Sequence, residues 1–115
     1  MQLHEKRIFG KGIKIFIEED KIQIARVFLY ILHNELHEVP FGLMEDVFVI
    51  ESYRSKGIGS KIVNKVIEVA KREGCYKLIC TSRYGKGPVH NMYQKLGFKD
   101  HGREFRINFS EEVIN

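Results

Sequence analysis

Apolar residues first recur at every second position. In residues 13–18, IKIFIE, the side chains of Ile13, Ile15 and Ile17 share one face, which predicts a strand covered on one side. The polar run EEDK (18–21) predicts a turn. Residues 22–34, IQIARVFLYILHN, are apolar with few breaks and predict a long strand covered on both faces. ELHEVP (35–40) predicts a second turn and FGLMEDVFVIE (41–51) a third strand, so the first half reads as an antiparallel meander.

The period then changes to that of a helix. From Gly57 to Arg72, apolar residues fall at Ile58, Ile62, Val63, Val66, Ile67, Val69 and Ala70, with Gly74 placed to end the helix. YKLICTS (76–82) predicts a strand and RYGKG (83–87) a loop. Pro88 suits the first turn of a second helix with Val89, Met92 and Leu96 inward and Gly97 as its stop. FKDHG and EFRINF predict two closing strands. The order is βββαβαββ, an α/β chain whose central strand–helix–strand unit implies a parallel pair inside a mixed sheet.

Bulk properties narrow this further. A length of 115 residues suits one domain, residues 1–115, with one modest core, and 43% hydrophobic with 30% charged residues suits a soluble protein. The charge of +4 favours anionic ligands without establishing nucleic-acid binding, and neither aromatic stacking motifs nor a basic recognition helix is present. The N-terminus carries no apolar signal region, and the longest apolar run, VFLYIL (27–32), is too short to cross a bilayer. Cys75 and Cys80 are read as reduced thiols on opposite faces of one strand, which fits a cytoplasmic protein with no membrane partner. His33 and His37 in HNELH lack both the Glu and the helix of a zinc-protease site, so no metal is expected.

Residues 53–61, YRSKGIGSK, join the third strand to the first helix. Gly57 and Gly59 stand too close for a P-loop, and Ile62 occupies the place of the third glycine of a dinucleotide fingerprint. An uncapped helix start nevertheless offers free N–H groups and positive potential to an anion, with Arg54 and Lys56 at the rim. An ordinary glycine-rich turn with solvated cations accounts for this loop equally well.

The second half adds VHNMYQKLGF (89–98). Arg-x-x-Gly-x-Gly after a strand, then helix, strand and Tyr-x-x-x-Gly-Phe, resembles the GNAT superfamily of acyl-CoA-dependent N-acetyltransferases. Val49, Tyr53, Arg54, Gly57, Ile58 and Gly59 match the first motif, and His90, Tyr93, Leu96, Gly97 and Phe98 the second. The resemblance runs from about residue 13 to 109. MEDVFV (44–49) and GCYKLI (74–79) are similar to the branch holding glucosamine-6-phosphate and aminoalkylphosphonate N-acetyltransferases.

The resemblance implies an acetyl-CoA-dependent acetyltransferase acting on a primary amine of a small molecule. Backbone amides of Arg54, Ser55, Lys56, Gly57, Ile58, Gly59 and Ser60 would cradle the pyrophosphate of coenzyme A. Backbone groups of Phe48 and Val49 would pair with the pantetheine arm where the strands splay. Tyr93 would face the sulfur as proton donor; alternatively its ring packs at a helix–sheet seam. Glu45 and Asp46 lie mid-strand in an apolar run, where a carboxylate is costly unless paired or functional. Either is a candidate base, and the family's use of a central-strand Glu through water favours Glu45; facing solvent or pairing with Lys or Arg is the competing account.

The family's two N-terminal helices, which wall the acceptor site, have no counterpart in residues 1–50, which read as β-structure throughout. A homodimer whose N-terminal strands cover that side is therefore expected. A non-catalytic acyl-CoA-binding or protein-interaction module on the same fold is the alternative.

Overall fold

The computed structural model describes residues 1–110. Three antiparallel strands form the expected meander: β1 (Gly10–Glu19), β2 (Ile22–Leu32) and β3 (Phe41–Val49). Asp20 and Lys21 join β1 to β2 with φ of 52° and 64°, the paired positive values of a type I′ hairpin turn that matches strand twist. A single 3-10 turn at Glu51–Tyr53 leads to helix α1 (Ile58–Arg72), then β4 (Leu78–Ile79) and helix α2 (Gly87–Lys95). The sheet order is β1-β2-β3-β4, and β4 runs parallel to β3, as the strand–helix–strand pattern requires.

The chain forms two compact units, Met1–Cys80 and the residues from Thr81 on. In the first, Ala25, Val27, Leu29 and Ile31 of β2 and Met44 of β3 pack with Ile62, Val63, Val66, Val69 and Ala70 of α1. These are the helix positions selected by the period of 3.6. Burial of β2 is complete on the α1 side only; on the other side Phe28 and Tyr30 stack at 6.5 Å and stay partly exposed. The long apolar run of β2 is thus covered on one face, because the opposite face of its neighbours carries charge at Lys14 and Glu45.

Both α1 and α2 end as their glycines predict. After α2, the Phe98 N–H donates to the Tyr93 carbonyl at 3.0 Å and the Gly97 N–H to the Gln94 carbonyl at 3.1 Å. This is the Schellman pattern, and Gly97 supplies its left-handed residue at φ 106°.

Two further expectations fail. The strand expected at 76–82 shrinks to Leu78–Ile79, which pairs only with Gly42 and Leu43. A bulge then places Asp46 and Val47 of β3 against Val27 of β2 and bends β3. The two closing strands expected in FKDHG and EFRINF are not formed: residues 98–109 have no strand, and Phe105, Ile107 and Phe109 are exposed. Alternating apolar residues make a strand only when a neighbouring edge accepts their ladder, and no described strand does so here.

Candidate active site

The junction of β3 with α1 is built around open backbone donors. Gly57 is the N-cap of α1 with φ 79°, and no side chain caps this end. The first hydrogen bond runs from Lys61 N to Gly57 O at 3.1 Å, while the amides of Ser55 through Ser60 make no hydrogen bond to a described residue. The first turn holds no acidic residue and includes Lys61. The helix dipole adds roughly half a positive charge at that end. A Cβ built on Gly57 would meet nothing within 4 Å, so the space before these donors is open. Gly59, by contrast, is the second residue of α1 and needs no unusual backbone.

The loop is held from both sides. Arg54 Nε donates to the Val49 carbonyl at 2.9 Å, and its guanidinium lies 5.7 Å from the Phe48 ring. Its amide already donates to Glu51 O at 3.2 Å, so Arg54 braces the loop with side chain and backbone instead of offering a free amide. The Tyr53 hydroxyl donates to Glu19, and this bond with the nearby carboxylate charge raises the phenol above its usual range. Lys56 lies over the Tyr53 ring at 5.3 Å.

From Met44 to Val49, β3 pairs with β2 alone. That leaves the β3 side that faces β4 at Gly42 and Leu43 without a strand alongside Phe48 and Val49, although the Val49 carbonyl is engaged by Arg54. The carboxylates of this strand divide. Asp46 has φ 56° and accepts from Arg26 at 3.0 and 3.3 Å. Arg26 also lies 4.8 Å from the Phe48 ring. Glu45 stands opposite Phe28 on the face away from α1, is exposed, and forms no ion pair with a described residue.

In the second unit, Tyr93 sits on α2 with its ring 5.4 Å from that of Phe98. The Tyr-x-x-x-Gly-Phe pattern therefore has a local cause: the helix stop brings Phe98 back over Tyr93. His90 Nε2 lies 2.9 Å from the Arg83 carbonyl and 3.1 Å from Ser82 Oγ. A carbonyl only accepts, so Nε2 carries the proton and ties α2 to the 82–83 loop. Cys75 and Cys80 are free thiols, both raised in pKa by burial, Cys80 to about 11.

Residues 4–98 match the Acetyltransferase (GNAT) family. The chain belongs to that family. Among curated relatives, the glucosamine 6-phosphate N-acetyltransferase of Trypanosoma brucei brucei is 39% identical over 67 residues, 58% of this chain and 44% of that protein. The mouse (Mus musculus) thialysine N-epsilon-acetyltransferase is 41% identical over 58 residues, 50% of this chain and 34% of that protein. The crystal structure of glucosamine-6-phosphate N-acetyltransferase from Arabidopsis thaliana superposes with a TM-score of 0.78 at 25% identity, covering 86% of this chain and 67% of that one. The chain thus spans less than half the length of either of these two curated relatives.

GNAT acetyltransferases use acetyl-CoA, and the uncapped start of α1 offers the positive potential that favours an anion. Sequence reading missed Arg26 and Glu19. The signal for Arg26 was there, a lone charge within the apolar run of β2, whereas nothing local links Glu19 to Tyr53.

Proposed function

We propose that the chain is an acetyl-CoA-dependent N-acetyltransferase that moves an acetyl group directly to a primary amine of a small molecule, and that it works as a homodimer. The reading is carried by one observation, the amides of Ser55–Ser60, which have no hydrogen-bond partner among the described residues, at the uncapped start of α1. Both curated relatives are named for moving acetyl to nitrogen, which supports an amine acceptor. The two free thiols suit a reducing compartment, and we place the chain in the cytoplasm.

The amides of Ser55–Ser60 and the charge of Lys56 bind the pyrophosphate, and backbone groups of Phe48 and Val49 align the pantetheine arm. An alkyl ammonium near pKa 10 is only about a thousandth free base at pH 7. Glu45, acting through water, takes the ammonium proton. The amine nitrogen then attacks the thioester carbonyl, the C–N bond forms, and the C–S bond breaks with its electron pair on sulfur. The Tyr93 hydroxyl protonates the thiolate, and the second proton lost by nitrogen restores the phenol, so one proton is released per turnover.

Calorimetry with acetyl-CoA, followed by thiol release across amino sugars, polyamines and lysine analogues, tests this. Saturable binding and turnover on at least one amine are expected. Gly57→Val should abolish binding while the fold persists, because a β-branched residue at φ 79° is strained by roughly 1–2 kcal/mol and its side chain enters the anion's space. Unchanged affinity in that variant would remove the anion cradle. Binding without turnover on any amine would make the chain a non-catalytic acyl-CoA-binding module.

A further inference from the structure

β1 is an outer strand: it pairs with β2 along Gly10–Glu19, and no described strand lies on its other side. On that outer edge every second residue of the ten presents a free N–H and C=O, a row that invites another strand. The sequence GKGIKIFIEE is itself polar in a directional sense, with Lys11 and Lys14 near its start and Glu18 and Glu19 at its end. On the α1 side, Ile13, Ile15 and Ile17 are half-buried, and a groove of about 400 Å3 opens beside Ile15 and Ile17, walled by Lys61, Ile62 and Lys65 of α1. On the other side Phe16 is 48% exposed, with Lys14 Nζ 5.2 Å from its ring.

We propose that a second copy of this chain occupies this edge, pairing β1 with β1 antiparallel about a two-fold axis that passes Ile15 perpendicular to the sheet. Opposed residues of an antiparallel pair share a face. About this axis Ile15 meets its own copy, Ile13 meets Ile17, Lys14 meets Phe16, and Lys11 meets Glu19 of the second copy. Apolar therefore opposes apolar on the α1 side, where the two grooves adjoin. Each ammonium opposes a carboxylate or an aromatic face. Moving the axis by one residue places Lys11 opposite Ile17 or opposite Lys21, and both arrangements lose the match. Lys11 also reaches Glu73, just past the end of its own α1, at 3.0 Å, and Glu19 lies against Tyr53. The interface thus adds a partner to charges that are already placed. The charges select register and partner, and the isoleucines supply the buried area.

This interface rests on the homodimer part of the proposed function and is independent of acetyl transfer, because no readout is an activity. Sedimentation equilibrium of the full chain should give twice the 13.5 kDa chain mass. Lys11→Glu with Lys14→Glu should yield a monomer with unchanged far-UV circular dichroism at the same concentration. Lys11→Glu alone should weaken the dimer, and adding Glu19→Lys to it should restore the dimer, since that opposed pair is regained with signs exchanged. With Cys75→Ser and Cys80→Ser, an Ile15→Cys chain should oxidise to a covalent dimer. Opposed Cα atoms about 4.5–5.5 Å apart fall within disulfide range. A monomer at every concentration overturns both the interface and the homodimer. A dimer that ignores the charge reversal, or that the exchange of Lys11→Glu with Glu19→Lys fails to restore, overturns this interface alone.

Discussion

Glu45 and Asp46 are chemically alike and adjacent, yet the backbone assigns them different work. Asp46 lies in the left-handed region, which Asp and Asn tolerate better than other side-chain-bearing residues, and its carboxylate is held by Arg26. It therefore serves the bulge. That pair is partly exposed, so its loss should cost no more than about 1 kcal/mol. Glu45 has extended backbone and no ion partner among the described residues, which leaves it available to a water and an ammonium. Glu45→Gln should lower kcat by about 10²–10⁴, the range for losing a general base, with the KM for acetyl-CoA unchanged. Asp46→Asn keeps the side-chain shape and the tolerance for positive φ, so it should leave kcat within a few-fold. Steady-state kinetics on the amine found in the acceptor screen decides between them, and the reverse pattern would make Asp46 the base.

Among the elements, the helix ends carry most of the chemistry, and they differ in how far sequence reveals them. The period of 3.6 and the glycines at 74 and 97 located both helices to within a residue or two, because a Schellman stop needs a left-handed residue and glycine supplies it without strain. The meander was legible because three apolar runs of strand length are separated by the short polar segments 18–21 and 35–40, although the apolar run of β2 misstated how many of its faces are covered. The closing strands were not, because the alternation in EFRINF states which face is apolar and nothing about whether an edge waits for it. The bulge at Asp46 was also invisible, since it depends on Arg26 twenty residues away. The stop of α2 bears directly on Tyr93, whose carbonyl accepts from Phe98 and whose ring meets that of Phe98. Tyr93→Phe keeps the ring contact with Phe98 and removes the hydroxyl, so kcat should fall by about 10²–10⁴ with unchanged acetyl-CoA affinity. Gly97→Val strains the stop itself and should lower both melting temperature and kcat. A Tyr93→Phe enzyme with normal kcat would reduce Tyr93 to a packing role.

Across the whole molecule, burial is unevenly shared. Every buried residue described lies between Ile24 and Ala70, while α2 contains none. The backbone of β2 and of the middle of α1 can therefore exchange with solvent only when the core opens, whereas α2 and residues 98–109 have little buried apolar surface to resist local opening. Hydrogen exchange should show the slowest amides at Val27–Ile31 and Ile62–Val69, with amides of α2 exchanging orders of magnitude faster. The start of α1 belongs to neither class. Its amides from Ser55 to Ser60 have no hydrogen-bond acceptor among the described residues, so they should exchange quickly despite adjoining the most protected helix. Acetyl-CoA should slow these amides first, since a bound pyrophosphate gives them acceptors where the fold gives none. Protection appearing in β2 but not at Ser55–Ser60 would mean that the ligand stabilises the core from another site, and the anion cradle would lose its support.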